Sequence, residues 1–141
     1  IRGAGFDESF NTNGRRILEQ YLAVKNIILN VSSVIFRKTA LEAAMARSKD
    51  VLDEMRVAGD WRIYSEICAA DGKVVYEAQA LNGHRRHDNS VTHALDAEHH
   101  LAEIAEMQAF VNAFVTVDKN TVAAQQEHLT DSLSHIEGSQ P

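Results

Sequence analysis

The sequence predicts an α/β fold that is rich in helix and poor in strands. Three observations carry the prediction: an apolar, β-branched run at Ile27–Phe36, a shorter β-type run at Lys73–Tyr76, and a long helical rhythm of apolar residues over Val91–Val117. Helical segments outnumber strands by at least five to two. A strand apolar enough to be buried on both faces needs neighbours on both edges, and this chain supplies too few. It is therefore expected to be a piece of a larger fold. An N-terminus without Met and without a secretory pattern at Ile1–Phe10 fits that expectation.

Taken in order, Ile1–Asn13 is polar and reads as an irregular lead-in. Arg15–Lys25 places Ile17, Leu18, Tyr21, Leu22 and Val24 at three- and four-residue spacing, which predicts a helix. Ile27–Phe36 (IILNVSSVIF) reads as a buried strand. Its polar interruptions Asn30, Ser32 and Ser33 either bond neighbouring backbone or contact a ligand. Thr39 with Glu42 forms a capping box, predicting a helix over Ala40–Arg47, and a second helical piece follows at Asp50–Arg56. Asp60 is placed to cap a third helix, Trp61–Ala70, which stops before Gly72. On it, Cys68 reads as a small buried apolar residue.

Lys73–Tyr76 is the second strand. Val91–Val117 then reads as a helix of about 40 Å at the usual rise, with Leu95, Leu101, Ile104, Met107, Phe110, Val111 and Phe114 as its apolar face. A break at Thr116–Asn120 separates it from a packing helix at Thr121–Ile136, and Glu137–Pro141 is a frayed tail.

At 141 residues the chain has the size of one domain, and its 45% hydrophobic share is enough for a packed core. No apolar run reaches the ~18 residues that span a bilayer, so a soluble piece is expected. A single cysteine excludes an internal disulfide and fits a reducing, cytoplasmic compartment. The net charge of −6 argues against a nucleic-acid partner, which calls for a basic footprint. There is no GxGxxG, P-loop, HExxH, CxxC or GxSxG. Asp96 with His100 and His99 with Glu103 share helix faces at four-residue spacing, near His93, as metal ligands often do. A solvated face of an acidic helix looks the same, and no second ligand set faces this one.

The chemistry concentrates between Gly72 and His93, GKVVYEAQALNGHRRHDNSVTH, with Gly59-Asp60-Trp61 just upstream. A carboxylate, guanidiniums and imidazoles gathered by one strand–helix unit suit an anion, a metal, or both. The order of pieces is NVSSVIFRK, ALEAAM, GDW opening a helix, GKVVY, and finally HRRHDNSVT with its R-x-H-x-x-S. That order resembles the C-terminal half of family 2 glycosyltransferases of the GT-A fold, over about Arg15 to His93. The resemblance implies residues 1–93 as the acceptor-side part of such a domain, and 94–141 as a C-terminal helical extension folded as a hairpin. It implies transfer of a sugar from a nucleotide-diphosphate donor to a hydroxyl of a glycan or lipid-linked acceptor, with inversion and a divalent cation (Mg or Mn). No tightly bound cation is expected in this piece alone.

By the same resemblance, Asp60 is the general base that takes the acceptor proton. Arg85 offsets charge on the leaving diphosphate, with Arg86 beside it at a variable position, and His87 approaches the diphosphate or its metal. Asn30 and Ser32 lie on the acceptor side. Trp61 either stacks on a sugar or packs its helix. Two departures stand out: Gly59 replaces the Glu that often precedes the Asp, and no D-x-D occurs anywhere in the chain. A competing reading from another class makes Val91–Ile136 a helical interaction module with no catalysis. In either case exposed strand edges and apolar helix faces predict a homo-oligomer.

Overall fold

Where the first strand stops is decided by a glycine. In the computed structural model, which describes residues 6–83 and 97–137, a Cβ on Gly14 would lie 2.5 Å from the Cα of Cys68. No side chain fits there, and the Gly14 N–H donates to the Gly72 carbonyl at 2.6 Å. The chain turns at this contact from β1 (Phe10–Asn13) into α1 (Gly14–Ile17), which continues as a π-helical turn at Leu18–Leu22. Asn13 caps the turn, its Oδ1 accepting from the Arg16 N–H at 2.9 Å. β1 pairs antiparallel with β2 (Lys73–Tyr76), Phe10 opposite Tyr76 and Asn13 opposite Lys73. The lead-in expected to be irregular thus holds a strand. Its signal lies in two residues, Phe10 and Thr12, which turn their half-buried faces inward between exposed asparagines. Phe10 stacks on Tyr76 with ring centroids 5.3 Å apart.

The run Ile27–Phe36 corrects the largest expectation. It forms no strand: Asn30 accepts from the Ser32 N–H at 3.1 Å and from its hydroxyl at 2.8 Å, and the Ser33 hydroxyl donates to the Asn30 carbonyl at 2.6 Å. These local bonds close a 3₁₀ turn at Val31–Ser33 and compete directly with a ladder. Ile27, Ile28, Val34 and Phe36 still pack on the core, whereas Leu29 and Ile35 face outward, 81% and 99% exposed. The observed fold is a small, helix-rich α/β unit whose described sheet has two strands.

Helix α2 (Lys38–Leu52) is continuous where two pieces were expected. Arg47, Ser48 and Lys49 carry it through, and the Thr39 box is unused, for the helix starts at Lys38 with no side-chain cap bond. Helix α3 (Gly59–Ala69) ends as expected before Gly72: Asp71 takes a left-handed φ of 55°, and the Gly72 N–H returns to the Ile67 carbonyl at 3.2 Å.

Helices α4 (Ala97–Asn112) and α5 (Lys119–Glu137) pack on each other, and the break between them comes a few residues earlier than expected. The core joins Ile17, Leu18 and Leu22 to Trp61, Tyr64 and Cys68 of α3, and to Ile104, Met107 and Val111 of α4. The carbonyls that leave the π-helical turn are satisfied by three different helices. Trp61 Nε1 donates to Leu22 O at 3.1 Å, Gln125 Nε2 to Ala23 O at 2.7 Å, and Gln108 Nε2 to Val24 O at 2.9 Å. Orphan helix-end carbonyls otherwise need water, so these bonds let that end be buried. The expected boundary at 93/94, the start of the long helix with Leu95, and the tail from 138 onward lie outside the described residues.

Candidate active site

Asp60 sits in the first turn of α3, two residues past the cap; the N-cap position is Ala58, whose side chain has nothing to offer. The half-buried carboxylate is held through Oδ1, which accepts from the Trp61 N–H at 2.6 Å and from Asn26 Nδ2 at 3.2 Å. Among the described residues Asp60 makes no ion pair. Burial pushes it above the ordinary aspartate value, further than its donors at Trp61 and Asn26 pull it down. Burial, followed by the Asp60 charge, also raises Tyr64 one turn along the helix, and the buried Tyr64 hydroxyl has no hydrogen-bond partner.

The residues expected on the acceptor side divide. Trp61 is 3% exposed and its indole N–H donates to the Leu22 carbonyl, so it packs α3 into the core, the second of the two roles expected for it. Asn30 is half-buried and Ser32 exposed. Both serve the 3₁₀ turn, and Ser32 Oγ also accepts from Asn82 Nδ2 at 3.4 Å. That contact sets the chain leaving β2 beside the NVSS turn, with the sequence continuing directly into His84. Arg85, Arg86 and His87 themselves lie outside the described residues, as do His93 and Asp96. Asn26, on the same segment as Asn30, links the segment to Asp60. Its own Oδ1 accepts from the Ile28 N–H at 3.0 Å.

Sequence reasoning missed Asn26 and misread Glu103. Set on the expected solvated face of α4, Glu103 is in fact 9% exposed, its carboxylate filled by three successive amides: Arg56 N at 2.6 Å, Val57 N at 2.9 Å and Ala58 N at 2.8 Å. Burial alone would raise Glu103; these donors and the nearby His100 outweigh it and hold it below the ordinary glutamate value. No local motif announces a carboxylate that caps a loop 45 residues away. Beside that loop a cavity of about 150 Å³ is lined by Asn26, Trp61, His100, His128 and Ser132. His128 is lowered by burial, with Lys25 and His100 adding to the shift and Asp131 opposing it. For a divalent cation, no group of three His, Cys, Asp or Glu side chains converges among the described residues.

Comparison with family models, with curated proteins and with solved structures returned no match.

Proposed function

We propose that this chain is the acceptor-side part of a family 2-like, GT-A glycosyltransferase that moves a sugar from a nucleotide-diphosphate donor to an acceptor hydroxyl. The observation that carries the reading is Asp60. It is a half-buried carboxylate, raised above its ordinary value and free of any described ion pair, at the head of a helix seated firmly by its neighbour Trp61. A general base must be ionised yet basic enough to accept a proton as the hydroxyl oxygen attacks, and desolvation moves a carboxylate in that direction. The proton passes from the acceptor hydroxyl to Asp60, the oxygen bonds the anomeric carbon, and the bond to the diphosphate breaks with its electron pair. The Asn82–Ser32 contact supports the reading from the other side: Asn82, two residues before His84 in the sequence, lies beside the turn that holds Asn30 and Ser32. Arg85 and Arg86 are proposed for the diphosphate, and His87 for the donor's cation.

The test is transfer from nucleotide sugars by the full-length protein, with and without Mn²⁺, and with Asp60→Asn beside the wild type. Transfer that Asp60→Asn abolishes while donor binding persists supports the assignment; a fully active Asp60→Asn protein sinks it. The 141-residue chain alone is expected to be inactive.

A second reading is favoured by one observation. Leu29, Ile35, Val75 and Leu81 stand 76–99% exposed, apolar side chains that a partner surface would cover. It makes the chain an assembly module, and sedimentation at micromolar concentration tests it: a clean monomer counts against.

A further inference from the structure

Helix α4 belongs to the C-terminal extension, beyond the part of the sequence that resembles a glycosyltransferase, yet it reaches into the launch point of α3. Three amides in a row point at one carboxylate, and each bond to an ionised acceptor is of the stronger, shorter kind. Among the described residues the loop they belong to has no other side-chain cap: Ala58 offers no side-chain acceptor, and Gly59 follows at once. Asp60 is two residues beyond the last bonded amide, inside a helical turn closed by Arg62 N to Ala58 O at 2.9 Å.

We propose that Glu103 is a positioning residue for Asp60, fixing the 56–58 turn and through it the direction in which the carboxylate is presented. The proposal rests on the transferase reading for its functional meaning, while the coupling of Glu103 to Asp60 stands on geometry alone. A tilt of the turn changes how Oδ1 meets both the Trp61 N–H and Asn26, which are the two donors that tie it. The extension is then part of the catalytic apparatus, not an appendage.

The coupling is read by NMR on the whole 141-residue chain, needing no transfer. Glu103→Gln keeps the side chain's size but turns one acceptor oxygen into a donor. The expected result is that the Arg56, Val57 and Ala58 amide resonances move upfield and exchange faster. Together with them, the Asp60 carboxyl titration and the Trp61 amide shift move, while the melt stays cooperative. If the 56–58 amides respond and Asp60 with Trp61 stays as in the wild type, Glu103 is structural only and the proposal is overturned. Should Glu103→Gln not fold, Glu103→Asp, which keeps the charge and withdraws it, is read in the same way. Asn26→Ala serves as the sensitivity control, since it must shift the Asp60 titration without disturbing the 56–58 amides. In the full-length protein Glu103→Gln is expected to lower kcat by up to about 10²-fold with KM little changed. Wild-type protein without transfer activity refutes the transferase reading and leaves the NMR test of the coupling intact.

Discussion

Asp60 and Glu66 lie on the same short helix and have opposite electrostatic fates. Glu66, in the middle of α3, is buried and surrounded by donors: Arg47 Nε at 2.8 Å, Arg62 Nη2 at 3.2 Å and Ser48 Oγ at 3.2 Å. Burial would raise it, but these bonds outweigh burial and hold it below the ordinary glutamate value. Arg62 in turn lies over the Phe110 ring, 3.5 Å from its centroid, and ties α3 to α4. Asp60 gets an amide and an asparagine, and no cation among the described residues. A carboxylate satisfied several times over is held in its ionised form; one with two donors and no cation stays more basic, as the base proposed above requires. Glu103, filled by three amides, belongs with Glu66.

That contrast can be broken at several points. The largest effect is expected at Asp60: in full-length protein Asp60→Asn should cost about 10²–10⁴ in kcat with the fold retained, checked by steady-state transfer kinetics and circular dichroism. Glu66→Ala should do the reverse, sparing the chemistry but destabilising the chain by about 3–5 kcal/mol, because Arg62 is left largely buried without its partner. Urea denaturation measures it, and a loss below about 1 kcal/mol would show that the cluster is not structural. Trp61→Phe, which orphans the buried Leu22 carbonyl, should cost about 1–3 kcal/mol in the same assay.

Acid sharpens the contrast through its sign. Glu66 and Glu103 are lowered from 4.5, so the stability they lend is present above that pH and lost as pH falls through their folded values. Asp60 is raised from 3.8, so its folded form favours the proton, and its ionisation works against stability as pH rises through the folded value. Asp60→Asn should accordingly melt slightly above the wild type at neutral pH, and the gap should close toward pH 3; calorimetry at stepped pH reads both trends. Smallest of all, Ser32→Ala should stay within about 0.5 kcal/mol, since its bonds are exposed.

Periodicity reveals the helices because their buried faces are long. Leu18, Leu22, Ile104, Met107 and Val111 each lie where three- and four-residue spacing puts them. The stop at Gly72 is legible for a different reason: a Cβ there would come within 2.6 Å of the Ile67 carbonyl, so only glycine fits where the chain leaves the helix. Ile27–Phe36 is not, because β-branched composition is only a preference for a pleated, half-buried surface, and Asn30 with two serines offers the backbone a closer partner. Asn30 and Ser33 do bond neighbouring backbone, one of the two roles their polarity allows, while the Ser32 hydroxyl bonds the side chains of Asn30 and Asn82. Of the candidate site, Asp60 is visible through its neighbours Gly59 and Trp61. Asn26 and Glu103 are invisible, since their partners at 60 and 56–58 are distant in sequence and nothing local marks them.

One contact near the sheet has a practical use. The thiol of Cys68 is 5% exposed, pushed up to about 12 by burial, and its backbone is pressed by Gly14 at the point where strand and first helix meet. Such a thiol is inert to alkylating reagents while the chain is closed. Because it is the single cysteine of these 141 residues, its labelling rate in this chain becomes a stopwatch for the separation of α1 from α3. Native-state thiol exchange can therefore time that opening without any added probe.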